Sequence, residues 1–528
     1  MSHYLSKRGY VLRKDSIKNE ELLALKNTLR ARPLMDTKFS YLNKTNDTTF
    51  PVYIETKNKL YIPKMFGIEK FGNPTSYLDN YIGKKWTSDI PFNGTLYDSQ
   101  KEPCNLLINS CKEKGGGILS LQTGGGKTVS VLYVLSQLKV KTIVVVNKIP
   151  LMNQWISEIQ HFLPNAKIGT LQGQQNINIH NKDIVIAMLQ SMARIDYPDE
   201  LFQDFSCVVI DECHNTSSKI FSQVLFKLCC KYTIGLSATP KRADGCEYVF
   251  KWHIGDIVYQ SHDQRKGKQP IIRYLKIDSS DYKEVAIQNK ITGQTQIQFT
   301  SMLSELISMN KRNILIIDII KDLIKNEPNR KILVLSDRRT HLQTINNLLQ
   351  NNNNLLQNNI NLHNTLFTFG LFLGGMKQHE LDISRNSQVI LATYQAFGEG
   401  VSEKELDTLL LITPKKYVGH LKNSTKNESG KLEQIVGRIF RKEHIHRNPL
   451  IIDFNDNFSV YKNQSTQRKT FYKEHFPHAI IQNYSINLDD ITDNNNCISF
   501  IKIKKDKHKQ ITETTKLTEC LTNCIIED

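Results

Sequence analysis

The sequence predicts an α/β protein with two parallel-sheet lobes in tandem behind a small N-terminal accessory domain. Three observations predict it. Short apolar runs alternate with helix-patterned segments along most of the 528 residues, the pattern of parallel strands covered on both faces. That series ends once and begins again near residue 310, so there are two lobes. In the first lobe a glycine-rich loop ending in Lys-Thr joins an apolar run to a helical pattern, which is the order that phosphate binding needs.

A chain of this length exceeds a single core. The composition, 39% hydrophobic and 23% charged, is that of a globular protein. A formal net charge of +17 points to a polyanionic partner. The first residues lack the apolar core of a signal peptide and no long uncharged apolar span occurs after them, so the expectation is an intracellular, non-secreted protein without a membrane role. Ten cysteines lie scattered without a disulfide framework, as reduced thiols do. Cys520 and Cys524 have no matching second pair, which argues against a zinc site.

Residues 1–88 read as the accessory domain. Its alternating runs at 50–54 and 59–63 suggest short strands, and no catalytic constellation appears there. The first lobe is expected over 89–262, with strands at 118–121, 142–146, 183–188, 207–210 and 232–236. Residues 263–309 read as a connector with some strand character. The second lobe, 310–484, opens with a periodic helix over 310–324. Its strands are expected at 332–335, 366–373, 389–393, 409–412 and 450–454. Asn351 to Asn364 reads as a solvated Asn-rich insertion, and 485–528 as a basic, weakly ordered tail. The segment 462–473, with Phe471 and Tyr472 among its basic residues, fits either a nucleic-acid contact or a helix docked on the second lobe.

The candidate chemistry lies at strand ends, where ligands of such sheets bind. In the loop, Thr123, Gly124, Gly125 and Gly126 let backbone N–H groups converge on an anion. Lys127 adds a charge on the β/γ-phosphates and Thr128 a hydroxyl for Mg²⁺. Leu121 departs from the strict G-x-x-x-x-G-K-[ST] pattern, which has glycine there. Gln100, ahead of the loop, has an amide able to read an adenine edge. Asp211-Glu212 comes directly after a buried run; Asp211 suits the metal and Glu212 the attacking water. Ser237 and Thr239 are placed to couple the nucleotide site to movement between lobes through hydrogen bonds to the acidic motif.

Together, Thr-Gly-Gly-Gly-Lys-Thr, Asp-Glu-Cys-His and Ser-Ala-Thr-Pro resemble the superfamily 2 helicases of the DExH type. Lys241-Arg242-Ala243-Asp244-Gly245 looks like the XPB and UvsW branch. The resemblance implies two RecA-like (P-loop NTPase) lobes and allows an apolar residue at Leu121. It implies backbone contacts to nucleic acid from Gln190 and Ser191, and core packing for Trp155. In the second lobe, Arg338 and Gly375 end strands as plausible phosphate grips. Thr393 opens a segment, through Gly400, that resembles the motif linking ATP to nucleic acid. A helix over 434–441 would put Gln434, Gly437, Arg438 and Arg441 on one face, with Arg441 first and Arg438 second as the arginine finger.

The expectation is therefore a nucleic-acid-stimulated ATPase, a helicase or translocase using ATP and Mg²⁺ in a cleft between the lobes. Its partner is nucleic acid, DNA favoured and RNA open; it is a monomer, and transcription-machinery proteins are further candidate partners. Similarity to the XPB-like helicases of large DNA viruses suggests viral transcription or genome processing, in host cytoplasm or virion. The rival readings are an RNA helicase and a binding protein that kept the fold without turnover.

Overall fold

The computed structural model describes residues 3–34, 49–74, 76–122, 125–238, 244–261, 268–288, 295–357, 367–398, 403, 405–417, 429–440, 442, 444–491, 499–505 and 510–516. They form two compact units, one holding Met1–Gln264 and the other most of the remaining chain.

The first unit is built on an eight-stranded sheet in the order Asn176–Asn178, Ile168–Gln172, Ile184–Met188, Thr142–Val146, Cys207–Ile210, Tyr232–Ser237, Gly116–Ser120, Ile257–Gln260. All neighbours pair in parallel except the Asn176–Asn178 edge. The inner strands are buried on both faces because every residue is apolar or small: Thr142–Val146 and Cys207–Ile210 expose nothing. Two apolar clusters cover the sheet, one holding Leu119, Leu121, Val131 and Trp155, the other Ile118, Val145, Val208 and Phe250. Leu121 is thus a core residue, which explains an apolar side chain at that place. The N-terminal residues make their own five-stranded sheet within this unit. Two buried lysines tie it down. Lys64 Nζ donates to the carbonyls of Gly115 (2.9 Å), Cys230 (3.1 Å) and Lys231 (3.2 Å), and Lys7 Nζ donates to the carbonyl of Phe205. Burying an ammonium is costly unless its donors are met, and carbonyls at strand starts meet them.

The second unit holds a nine-stranded sheet in the order Phe369–Phe372, Val389–Thr393, Ile332–Ser336, Thr408–Leu411, Leu450–Asp456, Ile271–Asp278, Ile480–Asn487, Ser499–Lys505, Gln510–Lys516. The first seven are parallel and the last two form an antiparallel hairpin. Three sequence expectations change here. Residues 271–278, read as part of a connector, are hydrogen-bonded on both sides inside this sheet. The run has the strand character expected of it; Arg273 in its middle is buried, and its guanidinium bonds Gln482 Oε1 at 2.9 Å. The tail read as weakly ordered contributes the hairpin, whose Ile-Lys alternation has the two-residue period of a strand. The Asn-rich stretch begins as the end of a helix, Arg339–Gln357, and 358–366 lie outside the described residues. The segment 462–473 is settled as a docked helix, Ser459–His475, with Phe471 and Tyr472 fully buried.

Among the described residues, no helix is long and apolar enough to cross a membrane. The described cysteines, among them Cys104, Cys207 and Cys213, are free and buried.

Candidate active site

The site is built at the carboxyl ends of the first sheet. Gly116–Ser120 runs into the loop, and the helix Lys127–Leu138 leaves it. Gly126 caps that helix with φ +74°, a conformation other residues avoid. A Cβ there would also collide with the Gln100 amide nitrogen. Gln100 is buried against the loop, and its Oε1 accepts from the Tyr97 N–H at 3.0 Å, closing the start of the helix Asp98–Lys114. The Gln122 N–H donates to Ser261 Oγ at 3.1 Å and the Gly125 N–H to the Gln122 carbonyl at 3.0 Å. Lys127 and Thr128 open the helix, both half-buried. Thr123 and Gly124 lie outside the described residues.

Asp211 and Glu212 come after the strand Cys207–Ile210, two positions from the P-loop strand across the sheet. The Asp211 carboxylate accepts from Trp155 Nε1 at 2.9 Å and from the Glu212 N–H at 3.0 Å. Burial first, and the Glu212 charge second, push its carboxyl up to about 6. Glu212 adopts a left-handed backbone, φ +49°, a strain of roughly 1–3 kcal/mol of the kind held at functional sites. That turn aims its side chain at Lys127, with Nζ to Oε1 at 3.6 Å, and at His214, with Nδ1 to Oε2 at 3.4 Å. His214 Nδ1 also lies 3.1 Å from the buried Ser237 Oγ. A continuous polar chain therefore runs from the loop lysine through Glu212 and His214 to the next strand end. Thr239 lies outside the described residues.

Two members of this constellation carry no clear signal in the sequence. Trp155 is core, as expected, yet its indole N–H also grips the metal candidate; its distance of 56 residues from Asp211 leaves no local signal. His214 is visible only as part of the motif. Gln190 and Ser191 begin the helix Leu189–Arg194. Their side chains are engaged: Gln190 Nε2 donates to the Asn147 carbonyl at 2.7 Å, and Ser191 Oγ accepts from the Gly173 N–H at 2.9 Å.

In the second unit, Arg338 lies just beyond Ile332–Ser336. Its N–H donates to Ser336 Oγ at 3.1 Å and its guanidinium reaches the Thr300 carbonyl at 3.4 Å. Gly375 has φ +85° and open space where a Cβ would stand. Thr393 ends its strand buried, with Oγ1 accepting from the Ala396 N–H at 3.2 Å. The helix expected over 434–441 is corrected: α-helix covers Ser429–Val436, and Gly437–Phe440 is a 3₁₀ turn. The tighter winding, three residues per turn, starts at a glycine and breaks the single face drawn through Gln434, Gly437 and Arg438. Gln434 and Arg438 are buried, at 7% and 3% exposure. Gly400 and Arg441 lie outside the described residues.

Residues 93–242 match the family model of the type III restriction enzyme res subunit. A protein of Acanthamoeba polyphaga mimivirus named as an ATP-dependent RNA helicase is 30% identical over 476 residues, 89% of this chain and 85% of that protein. One of Invertebrate iridescent virus 6 named as a helicase is 26% identical over 447 residues, 78% of this chain and 91% of the relative. In fold, a fragment of a type I restriction enzyme HsdR subunit from Vibrio vulnificus YJ016 matches at a TM-score of 0.50 and 16% identity, over 78% of this chain and 71% of that one. With a site of this build on RecA-like parallel-sheet lobes, and a relative alike along nearly its whole length, the chain belongs to the superfamily 2 helicases, enzymes that hydrolyse ATP.

Proposed function

We propose that this helicase is of the DExH type, in the XPB and UvsW branch, and moves along DNA at the expense of ATP. The observation that carries the reading is the chain Lys127–Glu212–His214–Ser237, with Asp211 held beside it by Trp155. In this reading the loop from Thr123 to Gly126 receives the triphosphate, Gln100 reads the base, and Lys127 holds the β/γ-phosphates. Glu212 takes the proton of the attacking water, its 3.6 Å approach to Lys127 putting base and phosphate-binding charge side by side. Asp211 and the Thr128 hydroxyl would hold Mg²⁺. Both are the oxygen donors that this ion takes, and a carboxyl pushed up by burial is one that a cation relieves. When bound, the ion supplies charge stabilisation at the phosphates. Ser237, with Thr239, passes the state of the site to the polymer-binding residues through His214. In the second lobe, Arg438 and Arg441 supply the finger charge beside Gln434 and Gly400, and Arg338, Gly375 and Thr393 join Gln190 and Ser191 on the polymer backbone.

A second reading takes RNA as the polymer, favoured by the mimivirus relative that is named as an RNA helicase. ATP hydrolysis measured with single- and double-stranded DNA and RNA of one sequence separates the two: the stimulating polymer is the substrate class. Lys127→Ala should remove turnover, by about 10²-fold or more, while leaving salt-dependent polymer binding in place. Equal loss of both would overturn the assignment of the loop. The viral relatives support a role in viral transcription or genome processing.

A further inference from the structure

Away from the nucleotide site, the second unit contains a cavity of about 220 Å³ between the helix Phe299–Ser308, the turn before residue 286 and the start of the helix Ser459–His475. Its floor is apolar and aromatic. Met302 and Leu306 are buried, and Tyr282 and Phe458 stack with ring centroids 5.3 Å apart. Tyr461, at 2% exposure, also lines it. The mouth carries exposed Asp281 and Glu305 against one Lys283. It is therefore locally negative on a chain whose net charge is +17.

We infer that this cavity is a docking site for a partner protein, and that its occupant is one aromatic side chain flanked by lysine or arginine. Size sets the first part: a space of about 220 Å³ holds a single aromatic side chain and not a larger cofactor. Chemistry sets the second. A ring entering beside Tyr282 and Phe458 extends their stack. Charge sets the third. Carboxylates at the mouth attract basic neighbours and repel phosphates.

The test uses the full chain and a capped Lys-Lys-Trp-Lys-Lys peptide carrying 5-fluorotryptophan, monitored by fluorine NMR. Saturable binding is expected, weaker by at least about tenfold for the Asp-Asp-Trp-Asp-Asp counterpart and for Ser308→Trp, which plugs the mouth from an exposed position. Undiminished binding to Ser308→Trp, or equal binding of the acidic peptide, would overturn the proposal. So would a comparable loss of single-stranded DNA or RNA affinity in Ser308→Trp, since the cavity would then belong to nucleobases. Unchanged oligonucleotide affinity in that variant supports the protein partner.

Discussion

The two sheets end their strands on carboxylates in opposite ways. In the first, Asp211 leaves Cys207–Ile210 with only two N–H donors on it, the indole of Trp155 and the backbone of Glu212. In the second, Leu450–Asp456 carries Asp453 and Asp456, and each is matched by a fully buried arginine. Arg312 Nε and Nη2 meet Asp456 at 2.8 and 2.9 Å, and Arg468 meets Asp453 at 2.8 Å. Those arginines also donate to backbone carbonyls of Ile412 and Lys415, so their charge is spent on the fold. On the proposed reading, the difference separates an acid kept for a ligand from an acid used as mortar. A carboxylate that burial destabilises and no guanidinium neutralises is, on that reading, the one that would take a cation; one with a bidentate arginine is not.

Substitutions that strip each carboxylate of its role should split stability from chemistry. The largest effect falls on the second sheet: Arg312→Met leaves Asp456 charged and unpaired, and should cost about 3–5 kcal/mol, read as a lower urea midpoint. A loss under about 1 kcal/mol would break the comparison. Next, Asp211→Asn should reduce ATP turnover by about 10²-fold or more without lowering the thermal midpoint at pH 7. Were it to unfold the chain as Arg312→Met does, Asp211 would be mortar too.

A smaller effect is expected in the pH profile. Folding lifts the Asp211 carboxyl from the ordinary value of about 3.9 to about 6. Between those values the folded chain binds more protons than the unfolded one, so this group adds stability as the pH falls. The gain is complete below the unfolded value and is lost as the pH rises through about 6. Subtracting the urea midpoints of Asp211→Asn from those of the parent isolates it, and a difference that is flat from pH 4 to 7 would remove the claim. Smallest is Trp155→Phe, which keeps the packing and deletes one charge-assisted bond. Turnover should fall roughly tenfold, the equivalent of about 1.5 kcal/mol, with polymer affinity unchanged in a filter-binding assay.

How much of this was legible depends on where each signal lies. Nearly continuous apolar runs, such as Thr142–Val146, Cys207–Ile210 and Val389–Thr393, are bounded correctly from sequence, because a strand buried on both faces leaves no other pattern. Strands with one wet face, Ile168–Gln172 and Ile257–Gln260, pass unnoticed. Ile271–Asp278 reads as strand-like, but its place in the second sheet does not show, because its neighbours begin at Leu450 and Ile480. The loop, the acidic motif and their order are local and readable. The grip of Trp155 on Asp211 is tertiary and no spacing encodes it, whereas a hydrogen bond between Ser237 and the acidic motif is expected from the sequence and is made at His214. The 3₁₀ turn at Gly437–Phe440 shows the limit of helical periodicity when glycine lets the winding tighten.

The place of Ile271–Asp278 has a consequence for biosynthesis. Its two sheet neighbours begin at Leu450 and Ile480, so at roughly 5–20 residues per second the ribosome needs on the order of ten to thirty seconds to deliver the nearer one. For that interval a largely apolar segment has no mate. Trigger-factor-like holdases should therefore bind nascent chains cut between residues 300 and 440 far more than shorter or complete ones, and the yield of active enzyme should depend on elongation rate through the second half of the message.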